Sequence, residues 1–85
     1  MKNRLTHNSI TLGDYIRAMR LEKGYSQYHM ADALDISQNS YCLLENGQTK
    51  ASLDRIVQLA TVFKLSPREF LEGYFNRMDG YRNDR

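Results

Sequence analysis

The sequence of 85 residues contains only one cysteine and one proline, and it has no tryptophan. A single cysteine excludes an internal disulfide and suits a reducing compartment, so we expect a cytoplasmic protein. No apolar run approaches the roughly 20 residues that cross a bilayer, and the N-terminus lacks the apolar segment of a signal peptide. We therefore predict no membrane partner.

The sequence also lacks a clear excess of charge of either sign. The chain has 12 basic and 10 acidic residues, so its formal net charge is only +2. A balance this weak does not by itself indicate a nucleic-acid partner. The hydrophobic content of 41% is nevertheless typical of a folded chain, and the length suits one small domain with one modest core.

Residues that bind metals or catalyse reactions are few and scattered. His7 and His29 lie far apart in the sequence, and Cys42 has no second cysteine in a CxxC pair, so we predict neither a metal site nor a cofactor. A nucleophilic pair of Cys42 and His29 is disfavoured, because no orienting carboxylate or oxyanion donor is indicated. We expect that the protein is not an enzyme.

Helix caps and breakers are, by contrast, frequent. A side chain suited to an N-cap precedes each of five segments that carry apolar residues at helical spacing. The five candidate caps are Thr11, Ser26, Ser37, Ser52 and Ser66. Gly24 and Gly47 can adopt the positive φ that ends a helix. The sequence therefore predicts an all-α fold, a compact bundle of five helices.

We predict three segments along the chain. Residues 1–10 are polar and form a flexible N-terminal arm, residues 11–75 form the helical domain, and residues 76–85 form a flexible C-terminal tail. The fourth helix is expected to bury one apolar stripe in the core. That stripe consists of Leu53, Ile56, Val57, Leu59, Ala60 and Phe63.

The segment from Gln27 to Asn46 has the pattern of two short helices joined by a tight turn. Ala31 supplies a small residue where the helices approach, and Asp35 is one of the few non-glycine types that tolerate positive φ. Tyr41 is expected in the core with its hydroxyl reaching outward. This arrangement presents a second helix to the major groove of DNA. The alternative is an αα-hairpin inside a helical bundle, without a role in DNA binding.

Several short motifs occur in a fixed order along the chain. They are Gly24-Tyr25-Ser26-Gln27, Ala31, Ile36-Ser37-Gln38, Glu45-Asn46-Gly47, Leu53, Leu59-Ala60, Leu65-Ser66 and Phe70-Leu71. This ordered set resembles the helix-turn-helix family of phage repressor and Cro proteins, also called the XRE family. The resemblance covers roughly residues 12–74. It implies a lambda-repressor-like domain of five helices that binds specific double-stranded DNA, commonly as a dimer.

The third helix is expected to recognise bases. The amides of Gln38 and Asn39 can each bond the N6/N7 edge of an adenine, and Leu43 can contact a thymine methyl group. The resemblance implies base contacts at the positions of these three residues. In the alternative interpretation, Asn39 and Ser40 are ordinary exposed residues at the start of a helix.

Contacts with the phosphate backbone are expected on both sides of the third helix, although that helix contains no lysine or arginine. The predicted contacts are Gln27, Ser40, Gln48, Thr49 and Lys50. Gln27 opens the second helix, where free backbone N–H groups favour an anion. Arg20 has two alternative roles, a phosphate contact or an ion pair with Glu45 that fixes the first helix to the third.

Aromatic residues are crowded near the end of the domain. Phe70, Tyr74 and Phe75 are too close together for one inward stripe. Phe70 fits the core phase, so Tyr74 and Phe75 are the predicted interface of a homodimer, which reads two half-sites about one DNA turn apart. The alternative is contact with a different protein.

These features predict a DNA-binding transcriptional regulator, a repressor, that inserts its third helix into the major groove. The alternative is a protein-interaction module on the same fold, such as an antitoxin-like protein or a repressor partner, whose DNA face is secondary.

Overall fold

The computed structural model describes residues 10–82, with side chains described as far as residue 78. It contains five helices in that range: α1 (Leu12–Lys23), α2 (Gln27–Leu34), α3 (Gln38–Glu45), α4 (Leu53–Val62) and α5 (Pro67–Arg82). No strand occurs among the described residues, and the predicted all-α bundle of five helices is confirmed. None of these five helices is both long and apolar enough to cross a bilayer. Residues 1–9 of the predicted arm lie outside the described range.

The predicted N-caps hold the starts of the helices. Each of five side-chain oxygens accepts a hydrogen bond from the backbone N–H three residues later, at 2.9–3.0 Å. These oxygens belong to Thr11, Ser26, Ser37, Ser52 and Ser66. The carboxylates of Asp14 and Glu69 accept in return from the N–H groups of the caps that precede them, which completes two capping boxes. The helices therefore begin at the caps that the sequence predicted.

Each of the five helices contributes buried side chains to one shared core. Its largest fully buried side chains are Tyr15, Tyr41, Phe63, Phe70, Ile16, Met30 and Leu59. Tyr15 connects the first and last helices, because its hydroxyl donates to the carbonyl oxygen of Phe70 at 2.8 Å and the two ring centroids are 5.1 Å apart. The shared core also supports α2 and α3 through buried Met30 and Tyr41. At eight residues each, these two helices are too short to be stable alone.

The prediction for the buried stripe of α4 is wrong at two positions. Leu53 is 71% exposed and Val57 is 43% exposed, whereas Leu59 and Phe63 are fully buried. At about 100° per residue, Leu53 and Val57 are rotated by about 70° and 110° from the centre of the buried side chains. The neighbouring helices cover only one side of α4, so these two apolar residues lie beside that contact and face solvent.

The last helix is longer than predicted. Residues 76–82 continue α5, where the sequence analysis predicted a flexible tail, and this corrects that prediction. Nη2 of Arg77 lies 3.3 Å from the carboxylate of Glu22, and its Cζ lies 5.0 Å from the centre of the Tyr15 ring. The charged side chain of Arg77 thus contacts α1 from this part of α5. Residues 83–85 lie outside the described range.

Candidate nucleic-acid interface

A tight turn, Asp35-Ile36-Ser37, joins α2 to α3. Asp35 has a φ of 59°, the positive value predicted for this position. The N–H groups of Asp35 and Ile36 donate to the carbonyl oxygens of Asp32 and Ala31 at 3.1 and 3.0 Å, which closes α2. Ala31 is only 2% exposed. The turn and the small side chain therefore hold α2 and α3 together as one unit.

A buried network anchors the inner side of α3 to α1. The carboxylate of Glu45 accepts from Arg20 Nε and Nη2 at 2.5 and 3.3 Å and from the Tyr41 hydroxyl at 2.5 Å. Arg20 Nη1 also donates to the carbonyl oxygen of Tyr25 at 3.0 Å. Of the two roles predicted for Arg20, the structure shows the ion pair with Glu45. The hydroxyl of Tyr41 does not reach outward as predicted, because a buried hydroxyl takes an internal partner.

The charges in this network compensate each other. Burial opposes the charged form of Glu45, but hydrogen bonds from Arg20, Tyr41 and Gln27 outweigh it and hold the pKa of Glu45 below its usual value of 4.5. The hydrogen bond with Glu45 raises the pKa of Arg20, against a smaller opposing effect of burial. Both groups stay ionised at neutral pH, so the pair adds no net charge to the protein surface.

Gly13 allows α1 to approach the end of α3. A Cβ atom at this position would lie 2.2 Å from the carbonyl oxygen of Glu45 and 3.1 Å from that of Leu44. These are backbone atoms, which move only if α3 itself is displaced. Sequence reasoning missed this residue, although a glycine inside an otherwise helical pattern indicates a packing constraint.

The outer side of α3 begins with exposed polar residues. The amides of Gln38 and Asn39 are exposed and form no side-chain hydrogen bond with any residue in the range 10–82. Ser37 donates from its hydroxyl to Ser40 Oγ at 2.9 Å, which leaves the hydroxyl proton of Ser40 available. The first turn of α3 therefore presents two amides and one hydroxyl donor to solvent.

A groove separates α3 from the loop that follows it and from the start of α4. Its volume is about 260 Å³, and half-buried Leu43 lines it together with Ser40, Thr49 and Lys50. The N–H group of Gln48 donates to the carbonyl oxygen of Leu43 at 2.9 Å, which fixes the start of the loop. The structure thus brings one predicted base contact and three predicted phosphate contacts to a single groove, and exposed Gln48 lies next to it in the chain.

Gln27 is half-buried, and its side chain is tied to the inner side of α3. Its Nε2 donates to Glu45 Oε1 at 3.2 Å. An amide nitrogen carries two hydrogens and the amide oxygen is an acceptor, so one N–H and the oxygen remain available. The carboxylate that anchors α3 therefore also orients the side chain at the start of α2.

Tyr74 and Phe75 differ in their surroundings. Tyr74 is half-buried, with its hydroxyl donating to the carbonyl oxygen of Ile10 at 3.2 Å and its ring centroid 5.5 Å from that of Tyr15. Phe75 is 50% exposed. Tyr74 thus holds α5 against α1, and Phe75 is the more exposed aromatic of the predicted pair.

Of the side chains that sequence reasoning considered for metal binding or catalysis, His7 lies outside the described residues. Within the part of the chain that the structure describes, no group of three or more His, Cys, Asp or Glu side chains is arranged to hold a metal ion. Cys42 is a half-buried free thiol, and the ring of His29 lies beside Tyr25 with 4.2 Å between the ring centroids.

Comparison with known proteins identifies the family. The helix-turn-helix family model matches residues 16–70, from α1 to the first turn of α5. The chain belongs to the helix-turn-helix family. The resemblance to phage repressor and Cro proteins is thereby confirmed. The match includes α2, the turn and α3, so these elements are the helix-turn-helix of this protein. No solved structure matches the chain.

A similar helix-turn-helix protein is the SPbeta prophage-derived uncharacterized HTH-type transcriptional regulator YonR of Bacillus subtilis (strain 168). The two sequences are 31% identical over 67 residues, which are 79% of this chain and 62% of that protein. This helix-turn-helix chain therefore spans less than two thirds of the length of the relative it matches.

Proposed function

We propose that this helix-turn-helix protein is a sequence-specific transcriptional regulator that inserts α3 into the major groove of double-stranded DNA. The observation that carries the proposal is the exposed pair of unbonded amides, Gln38 and Asn39, at the start of a helix whose other side is anchored to α1. An α-helix fits the major groove, and a bidentate amide selects adenine there. An anchored helix holds those amides in one position, so they can distinguish one sequence from another.

Base contacts are assigned to Gln38, Asn39 and Leu43. Each amide can donate from its nitrogen to N7 of adenine and accept with its oxygen from the N6 amino group of the same base. Leu43 is half-buried one turn further along α3, and its apolar side chain suits a thymine methyl group. The three residues together favour a half-site that contains A·T base pairs.

Phosphate contacts are assigned to residues on both sides of α3. They are Gln27, Ser40, Gln48, Thr49 and Lys50. Gln27 lies at the start of α2, where the free N–H groups of the helix favour an anion, and its remaining amide N–H can donate to a phosphate oxygen. Lys50 supplies a charge beyond the end of α3, and counter-ion release makes such a contact dependent on salt.

Repression is the regulatory outcome that binding alone can produce. A protein that occupies the major groove excludes other proteins from the same base pairs, and no further contact is needed for that effect. We therefore assign a repressor role, with double-stranded DNA as the partner and no metal or cofactor in the contact.

We further propose a homodimer whose interface includes Phe75, with Tyr74 positioning α5 behind it. Two copies related by a two-fold axis place two α3 helices on successive turns of DNA. Phe75→Ser is expected to convert a dimer into a folded monomer in sedimentation at micromolar concentration. Leu53→Ser, at another exposed apolar residue, is the matched control and is expected to remain dimeric. A monomeric Leu53→Ser beside a dimeric Phe75→Ser would place the interface on α4 instead.

Selection of duplexes from a random pool tests the proposed function. We expect the wild-type chain to enrich one sequence motif and to bind it roughly 10³-fold or more tightly than random DNA at physiological salt. Equal affinity for selected and random duplexes, over a range of salt concentrations, would contradict sequence-specific binding and would favour a protein-interaction module on this fold.

A further inference from the structure

A second positively charged side chain lines the groove beside α3. Arg55, in the first turn of α4, lines it opposite Ser40 and Leu43 of α3, together with Lys50 of the intervening loop. The hydroxyl of Ser52 accepts from the N–H group of Arg55 at 3.0 Å, so the turn that carries Arg55 is fixed by its cap. The groove therefore has two basic side chains on its wall, although only Lys50 was recognised as a contact from the sequence.

The guanidinium of Arg55 keeps its charge uncompensated among the described residues. Arg20 and Arg77 each have a carboxylate partner, Glu45 and Glu22 respectively. In the same range Arg55 has no acidic side chain within 4.0 Å, and its Nη1 donates to the neutral amide oxygen of Gln58 at 2.7 Å. A guanidinium has five N–H donors, so this hydrogen bond orients it and leaves the other donors for an anion.

We propose that Arg55 is a DNA-contacting residue that, with Lys50, binds a backbone phosphate in this groove. The inference rests on the proposed function, and it adds a contact from α4. The groove also carries Leu43, so a phosphate held there lies next to the bases that α3 reads. Because α3 contains no lysine or arginine, the cation that steadies it against the backbone comes from the neighbouring helix. A planar guanidinium can bind a phosphate with two parallel hydrogen bonds.

Affinity measured against salt concentration tests the contact. Arg55→Gln removes the charge but keeps a polar side chain. Arg68→Gln, at an exposed residue of α5, is the matched control for the loss of one positive charge elsewhere. We expect Arg55→Gln to make the slope of log K against log salt shallower by about 0.9. Its loss of affinity should accordingly shrink about 3.5-fold between 50 and 200 mM salt. Arg68→Gln is expected to keep the wild-type slope.

A conservative variant separates charge from folding. Arg55→Lys is expected to retain the wild-type salt slope with weaker binding, because it keeps the charge and loses the bidentate geometry. Thermal unfolding of each variant checks that it is folded. A wild-type slope in folded Arg55→Gln, or an equal change in Arg68→Gln, would overturn the assignment.

The anion could be a DNA phosphodiester or a free phosphate ion, and competition distinguishes them. We expect inorganic phosphate, added at constant ionic strength, to leave duplex binding by the wild-type chain unchanged. Saturable binding of phosphate to the free chain that is lost in Arg55→Gln, together with an unchanged salt slope for duplex binding by that variant, would overturn DNA as the occupant of the groove. A wild-type chain that binds no duplex at all contradicts the proposed function instead, so the two failures are distinguishable.

Discussion

The two sides of α3 differ in how their polar groups are used. On the inner side Tyr41 and Glu45 are buried, and no buried side-chain nitrogen or oxygen among the described residues lacks a partner. On the outer side Gln38 and Asn39 are exposed, and their amides are unbonded within residues 10–82. Groups already bonded inside a protein are not available to DNA, and groups left open add little to stability. Inner substitutions should therefore change the free energy of unfolding, and outer ones the DNA affinity.

The largest effect is expected at the buried anchor. Glu45→Ala should lower the free energy of unfolding by about 3–5 kcal/mol, because it leaves the guanidinium of Arg20 buried without its counter-charge. Urea denaturation gives this quantity. Glu72→Ala, at an exposed carboxylate of α5, is the control and should change it by less than about 0.5 kcal/mol. Equal effects of the two substitutions would mean that the network does not anchor α3.

A smaller loss is expected where α1 meets α3. Gly13→Ala should lower the free energy of unfolding by about 1–3 kcal/mol, because its Cβ would collide with the backbone of Glu45. The fraction that folds should also bind DNA more weakly, since α3 is displaced while its outer residues are unchanged. Denaturation and duplex titration of the same sample measure both effects. Arg17→Ala, exposed on α1, provides the stability control, and a Gly13→Ala protein as stable as that control would refute the close packing.

The smallest effect is expected outside α3, at the loop that follows it. Lys50→Ala should weaken binding to all duplexes alike and make the log–log salt slope shallower by about one unit, with the free energy of unfolding unchanged. Titrations at several salt concentrations with selected and random duplexes measure it, beside Lys64→Ala as a control at another exposed lysine. A changed base preference with an unchanged slope would contradict a phosphate role for Lys50.

Features that depend on neighbours in the sequence were predictable. The caps at Thr11, Ser26 and Ser37 and the positive φ of Asp35 are local, so residue type and spacing were enough to predict them. The exposure of Gln38 was predictable for the same reason, because the residue follows a cap at the start of a helix. These signals predicted the fold class and the position of α3.

Features that depend on where another helix ends were not predictable. Arg20 had two roles that only the position of Glu45 decides, and Leu53 has the right hydropathy for a core that does not extend to it. Near the end of α5, Arg77 contacts α1, and no apolar periodicity indicates that contact. The groove beside Leu43 likewise exists only because α4 begins across from α3, and sequence reasoning therefore missed Arg55.

Whether the first turn of α3 chooses the DNA sequence is decided by one ratio of affinities, for a selected duplex over a random duplex. Gln38→Ala should lower this ratio roughly 5- to 150-fold, which corresponds to a loss of about 1–3 kcal/mol in binding free energy on the selected duplex. The non-specific affinity and the free energy of unfolding should stay at their wild-type values. Asn76→Ala, at an exposed amide on α5, should leave the ratio unchanged. A ratio that remains at the wild-type value in both Gln38→Ala and Asn39→Ala would contradict base recognition by α3.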